Sequence, residues 1–338
     1  MNVTSKQVAK LAGVSPSTVS RTISDHPSIS AQTKIKVRKA MEELGYEASS
    51  STPTIQDSKT IGVILPASDY DAYENAFFLE TIRGISLFCN SKQYTPVLIT
   101  GSTNQEIINA LKSMSIENKL DGVILLYSKE EDSVLEYLNS EGILYIILGK
   151  AKRNTSETIY IDNDNIAASR EAANYLINMG HERISYIGMD TDHVFSADRK
   201  AGYMLAMAEH GLPVNPDYII ELPLFPKTDA PEIRTLLERD DRPTAIIVCD
   251  DMYAMVLMQI AAFLNLSIPE DLSIVSFNNT AYARFSVPQL TSIDVNSQQL
   301  GIEAASQIIN HIENPSLLAT KIIVPHFLVE RESCAPVK

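Results

Sequence analysis

The 338-residue chain carries 28 Lys and Arg against 42 Asp and Glu, a net charge of −14, with 45% apolar residues. That balance fits a folded chain with sizeable cores and excludes a disordered polyelectrolyte. No apolar run reaches membrane-spanning length, and the N-terminus lacks a charged, apolar and cleavable leader, so a cytoplasmic protein is expected.

The charge is unevenly placed. Residues 1–50 hold seven basic and four acidic side chains, a net of +3, which leaves −17 for the rest. A basic head on an acidic body lets only the head approach phosphate. A head of +3 is a weak ligand for DNA alone, so two heads on a homodimer reading two half-sites are expected. The three cysteines, Cys89, Cys249 and Cys334, are odd in number and scattered, and read as reduced thiols.

In chain order, Thr4 with Gln7 begins a helix as a capping box, and Val8, Ala9 and Leu11 give it an apolar face. Gly13 reverses the chain, and Ser15-Pro16 opens a second helix whose Val19 and Ile23 face inward. The other face carries Ser17, Thr18, Ser20 and Arg21: short hydroxyls plus one forked donor able to bind a guanine edge. A third helix runs from Ser30, with Val37, Met41 and Leu44 inward, to Gly45. In this reading Arg21, Ser17 and Thr18 face bases, and Ser15, Ser20, Ser30, Thr33 and Tyr46 face the backbone. A helical hairpin inside an enzyme is the bland alternative. Residues 47–59 form a linker by composition.

From Thr60 the pattern alternates strands and helices. Buried parallel strands are expected at Ile61–Pro66, Pro96–Thr100, Asp121–Tyr127 and Leu144–Gly149, with helices between them. A second set starts at IYIDNDN and ends with strand SIVSFN. Leu290–Val295, a helix over Gln298–Ile312 and a strand IIVPHFLV come last, and read as the chain returning to the first lobe and then the second. The expected fold is a small all-α helix-turn-helix head (1–46), a linker (47–59) and an α/β two-lobed, periplasmic-binding-protein-like (type I) effector domain (60–338). Lobe 1 is placed at about 60–158 and 290–318, and lobe 2 at about 159–289 and 319–334. A small ligand belongs between the lobes, at the carboxyl ends of the strands.

The stretch VAKLAGVSPSTVSRTIS with SISAQTKIKVRKAMEELGY resembles the N-terminal domain of the LacI/GalR family of bacterial transcriptional regulators. By that resemblance the second helix reads the major groove of a pseudo-palindromic operator, and Ile55 falls where the family has a leucine that wedges into the minor groove. Pro53 and the serine run before it depart from that hinge pattern, so a flexible tether stays open as the alternative. Within the family, the segments FFLETIRGIS, DGVILLYSKEED, NYLINMGHERISYIG and SIVSFNNT are similar to maltose-operon repressors of Gram-positive bacteria. The resemblance implies a repressor that releases DNA on binding maltose or a short maltodextrin. A catabolite-control type with a phosphorylated carrier protein as corepressor is the alternative within regulation, and a sugar-binding protein without DNA function is the alternative outside it.

Candidate effector contacts combine position and chemistry. Arg199 follows the loop after strand Ile184–Gly188, and its planar fork of donors suits vicinal hydroxyls. Asp251 closes strand AIIVCDD as an acceptor, with Asp250 adjacent and the inward-facing one of the two left open. By the resemblance, Arg199 and Asp251 match the family's most recurrent effector contacts. Asn278 and Asn279 end strand SIVSFN, and Tyr127 ends the third strand. Of Phe77 and Phe78, one can stack on a pyranose face, and the resemblance favours Phe78. Phe225, His193 and Phe195 are further loop candidates. Asp162 to Asp164 lack the pattern of a calcium loop and read as an interlobe crossing with a helix cap. No metal or cofactor is expected. There is no Gly-x-Ser-x-Gly, Walker loop, Cys-x-x-Cys or Gly-x-Gly-x-x-Gly, so the sequence does not support an enzyme.

Overall fold

The computed structural model describes residues 5–14, 16–23, 29–46, 58–67, 75–116, 120–129, 132–151, 156–189, 193–222 and 230–337. The head consists of α1 (Ser5–Ala12), α2 (Pro16–Ile23) and α3 (Ala31–Leu44). Gly13 at φ +67° turns the chain after α1, in a region that favours glycine. Ser30 caps α3 by accepting from the Thr33 amide, and Gly45 at φ +63° closes it. Val8, Ala9, Val19, Val37 and Ala40 form the head's core, with Met41, Leu44 and Tyr46 packed on it. Leu11, expected inward, is 47% exposed; Val8 and Ala9, with Ala12 beside them, form the buried face of α1.

The body alternates β1 (Thr60–Ile64), α4 (Ala76–Ser91), β2 (Thr95–Ile99), α5 (Asn104–Ile116), β3 (Gly122–Leu125), α6 (Ser133–Glu141), β4 (Tyr145–Leu148) and β5 (Ile159–Asp162). It continues with α7 (Asn165–Asn178), β6 (Ile184–Met189), α8 (Val194–Glu209), β7 (Ile219–Leu222), α9 (Pro231–Leu237), β8 (Ala245–Val248), α10 (Asp251–Phe263) and β9 (Ser273–Phe277). Last come α11 (Ala281–Phe285), β10 (Thr291–Asp294), α12 (Ser297–Glu313), β11 (Lys321–Ile323) and β12 (Phe327–Val329).

These strands make two six-stranded sheets, in the orders β11-β5-β4-β3-β1-β2 and β12-β10-β9-β8-β6-β7. All pairings are parallel except β10 with β12. Central strands are fully buried, as their continuous apolar runs require when helices cover both faces.

The lobe boundaries differ from the sequence expectation by one strand at each crossing. The strand β5 completes the first sheet instead of opening the second, and β10 belongs to the second instead of the first. The last apolar run is two strands, one in each sheet, separated by Val324, Pro325 and His326. Three connections therefore join the lobes, and Asn163 ties them together. Its Nδ2 donates to the Val295 carbonyl (3.0 Å) and the Val324 carbonyl (2.8 Å).

Close helix packing fixes the first lobe's inner wall. A Cβ at Gly84 of α4 would lie 2.0 Å from the Gln298 carbonyl oxygen, and one at Gly301 of α12 would lie 2.1 Å from that of Thr81. Only glycine at both sites lets α4 and α12 touch backbone to backbone, which points the N-terminus of α4 at the space between the sheets.

Candidate functional site

The carboxyl ends of both sheets border one cavity, with about 740 Å³ of empty space when its open mouth is included. The first lobe contributes Pro66, Asn75, Phe77, Phe78, Leu126, Tyr127, Ser128, Leu148, Gly149 and Leu300. The second contributes Met189, His193, Phe195, Arg199, Asp250 and Asn278. Asp162, Asn163 and Asn165 line it at the first crossing. Apolar walls with few convergent polar groups are the form of a small-molecule site.

Arg199 is the strongest of these groups. It is 5% exposed, donates from Nε to Asn165 Oδ1 (2.8 Å) and from Nη1 to the Cys249 carbonyl (2.6 Å). The rings of Phe277 and Phe195 lie 4.1 Å and 5.0 Å from its central carbon. Two of five N–H donors are thus used to hold the fork in place, and three have no partner among the described residues. The helix that carries it, α8, starts at Val194, three residues earlier than a start at Ala197.

The neighbouring carboxylates separate by role. Asp250 lies in extended backbone before α10, caps that helix by accepting from the Met252 amide (2.7 Å), and receives Asn278 Nδ2 (2.8 Å) and Asn75 Nδ2 (3.1 Å) on Oδ2. Asp251, expected at the cleft, points away from it into the second lobe. It is fully buried and accepts from the hydroxyls of Ser276 (2.5 Å) and Ser292 (2.9 Å) and from the Thr280 amide (2.6 Å) and hydroxyl (2.9 Å). Its four donors hold it against β9, β10 and α11, so it is a structural carboxylate and Asp250 is the cleft carboxylate. Asn279 is a second correction. Positive φ at Asn278 (92°) and Asn279 (48°) reverses the chain, so Asn279 donates to Asp294 (2.8 Å) and accepts from Arg331 (2.5 Å), outside the cavity.

Burial, with Asp251 adding to it, pushes the Asp250 carboxyl up to about 6. Burial pushes Asp162 up to about 6 as well, against bonds from the Asn163 amide and Asn165. Tyr127 lines the cavity, and burial followed by the Asp132 charge raises its hydroxyl well above the ordinary value. Phe77 and Phe78 meet edge to face at 5.5 Å and both line the cavity; Phe78 is the more deeply packed in the core. His193 and Phe195 line it too. Phe225 lies outside the described residues, as do Ser15 and Ile55.

Sequence reasoning missed Asn75, Asn165 and Ser128 at the cavity. Asn75 was legible only as a helix cap, since its cleft partner is 175 residues away. Asp164 caps α7 by accepting from the Ala167 amide (2.9 Å), in line with the reading of residues 162–164 as a crossing with a cap.

In the head, the backbone of α2 is described but the side chains of Ser17, Ser20 and Arg21 are not. Thr18, expected to face bases, is 4% exposed, and its hydroxyl donates to the Glu141 carbonyl of the first lobe at 3.4 Å. That bond joins α2 to the last residue of α6. Ser30 and Thr33 join hydroxyls at 2.8 Å over the exposed start of α3, and Tyr46 is half-buried on the head's core.

A two-lobed α/β receptor with an interlobe cavity and a three-helix head is the architecture of a ligand-responsive DNA-binding regulator. The pattern of bacterial regulatory proteins of the lacI family matches residues 4–49, and that of the periplasmic binding protein-like domain matches residues 173–334. The chain is similar over nearly its whole length to two proteins named HTH-type transcriptional regulator MalR. One, from Staphylococcus xylosus, is 31% identical over 99% of each chain. The other, from Streptococcus pneumoniae, is 33% identical over 98% of this chain and all of the relative. A solved transcriptional regulator CelR–cellobiose complex superposes at TM-score 0.76 with 25% identity, covering 98% of this chain and all of that one. The chain belongs to the LacI family of bacterial regulatory proteins. It is a transcriptional regulator and not an enzyme.

Proposed function

We propose that the protein is a repressor gated by a small sugar, maltose or a short maltodextrin, bound in the interlobe cavity. The observation that carries this is Arg199: a buried guanidinium 4.1 Å and 5.0 Å from the rings of Phe277 and Phe195, with three N–H donors that have no partner among the described residues, on the cavity wall it shares with the Asp250 carboxylate. A fork of donors facing an acceptor matches the vicinal hydroxyls of a pyranose, and Phe77 and Phe78 supply the apolar surface for its ring faces. The names of the MalR relatives and the disaccharide in the CelR complex support the same class of ligand. Tyr127, His193, Phe195 and Asn278 are the remaining proposed contacts.

Two copies grip a pseudo-palindromic operator. Leu79, Leu87 and Leu98 on α4 and edge strand β2, with Phe285 (82% exposed) and Val287 (90% exposed) beside α11, offer the apolar surface for a homodimer. Arg21 and Ser17 read bases; the start of α3 at Ser30 and Thr33 holds a backbone phosphate on its amides. The protein works where the chromosome is, and no described helix is long and apolar enough to cross a membrane. The sugar shifts DNA affinity only by the difference between its affinities for two lobe arrangements.

The test is calorimetry against maltose, maltotriose, cellobiose and ribose, with operator release followed in parallel. Tight binding of a maltose-type sugar that Arg199→Lys weakens at least tenfold is expected. Equal heats for the parent and the variant would remove Arg199 from the site.

A further inference from the structure

Asn75 lies in the first lobe and Asp250 in the second, yet each is 4% exposed because they meet across the cleft. Each also caps a helix. Asn75 Oδ1 accepts from the Phe77 amide (2.9 Å) at the start of α4, which fixes the amide's orientation and leaves Nδ2 to point away from the helix. Asp250 Oδ1 accepts from the Met252 amide (2.7 Å) at the start of α10, which leaves Oδ2 for the cleft. Nδ2 of one cap then donates to Oδ2 of the other at 3.1 Å. Two helix starts, one per lobe, are joined through the atoms that capping does not use.

Asn163 ties the crossings, and a backbone bridge joins Lys129 to His193; among the described residues the ion pairs between the lobes lie nearer solvent. Arg284 pairs with Glu80 at 3.2 Å with side chains 45% and 32% exposed, and Lys150 pairs with Asp198 at 3.5 Å with 49% and 23%. Ion pairs this wet contribute little. An amide donating to a buried carboxylate contributes more, because the charge has left water and needs its donors.

The geometry points to Asn75 as the positioning residue that clasps the lobes on Asp250, so that the cleft is held closed before an effector enters and Asp250 is aimed into it. A carboxylate has about four acceptor positions. Here one is taken on Oδ1 and two on Oδ2, so one remains for an incoming hydroxyl. The effector thus adds to a clasp already formed. This rests on the interlobe cavity being the effector site; the clasp itself can be tested with no sugar present.

The experiment is hydrogen–deuterium exchange by mass spectrometry on the full-length protein without ligand, comparing the parent with Asn75→Asp, Asn75→Ser and the exchanged pair Asn75→Asp/Asp250→Asn. Aspartate and serine at position 75 still cap α4, so the fold is kept, while the first sets a carboxylate against Asp250 and the second is too short to reach it. Both single variants should speed exchange about tenfold or more in the first turns of α4 and of α10 together, since an opened clasp exposes both. The exchanged pair restores one donor facing one acceptor and should return both segments toward the parent rate. Faster exchange confined to α4 in both single variants would mean that Asn75 is a cap and nothing more, and would overturn the clasp. A parallel sugar titration separates the two readings: if α10 responds to Asn75→Asp but no sugar binds the parent, the clasp stands and the sugar assignment falls.

Discussion

Replacing Asp251 with alanine separates the two adjacent carboxylates. The side chain is fully buried and takes four bonds, from Ser276, Ser292 and twice from Thr280. Bonds to a buried charge contribute about 1.5–3 kcal/mol each, which sets a gross loss of about 6 kcal/mol or more. Part is recovered, because burial disfavours the charge itself and the two serine hydroxyls can rotate; Ser276 already lies 3.5 Å from the Thr291 carbonyl. The Thr280 amide cannot turn, so a net loss of about 3 kcal/mol is expected, against a typical total of about 5–15 kcal/mol. Asp250→Ala removes a helix cap and two side-chain bonds at the cleft wall, and should cost about 1–2 kcal/mol of stability while weakening sugar binding at least tenfold. Urea unfolding followed by circular dichroism gives the first quantity and calorimetry the second. If Asp251→Ala leaves the urea midpoint within error of the parent and abolishes sugar binding, the assignment of the two carboxylates is reversed and the reasoning fails.

Three further outcomes follow from particular contacts. The Asp162 carboxyl titrates near 6 in the fold against an ordinary 3.8, so the folded state holds the extra proton between about pH 4 and 6. Its contribution to stability is therefore greatest at acid pH and declines as pH rises through that window, by about 3 kcal/mol. Asp162→Asn should raise the urea midpoint at pH 7 relative to the parent and lose that advantage at pH 4; a constant difference across the range rejects the assignment. Gly84→Ala sets a methyl 2.0 Å from a backbone oxygen of α12 and should destabilise by about 3 kcal/mol or more, read as a lower melting temperature; an unchanged one contradicts the packing. Arg21→Ala should lower affinity for operator by about 1–3 kcal/mol and leave affinity for random duplex less affected. Equal losses on both duplexes in an anisotropy titration would show that Arg21 does not read sequence.

The alternating pattern of the body was legible because fully buried parallel strands are continuous apolar runs, as in GVIL and AIIV, whatever their neighbours are. Which sheet a strand joins is not local information. The runs IYID and TSID look alike, and only the length and path of the crossings send the first to one sheet and the second to the other. Arg199 lines the cavity because its loop follows a strand's carboxyl end, and that much was legible. Asp250 and Asp251 could not be separated, since an extended cap residue and the first helical residue point to different sides, and the boundary between them is a matter of one residue. Asn279 was misplaced for a similar reason: two successive left-handed residues turn it toward Arg331. Asn75 carries neither charge nor ring, and its role exists only once Asp250 is brought to it.

Occupancy of the cavity is expected to change how firmly the head holds DNA. Fluorescence anisotropy of a labelled palindromic operator, titrated with the full-length protein in the presence and absence of saturating maltose, measures it directly. A large loss of operator affinity on adding maltose is expected, with no change on scrambled duplex and no response to maltose in Arg199→Lys at the same concentration. Maltose that binds by calorimetry while the operator isotherm stays where it was would contradict it.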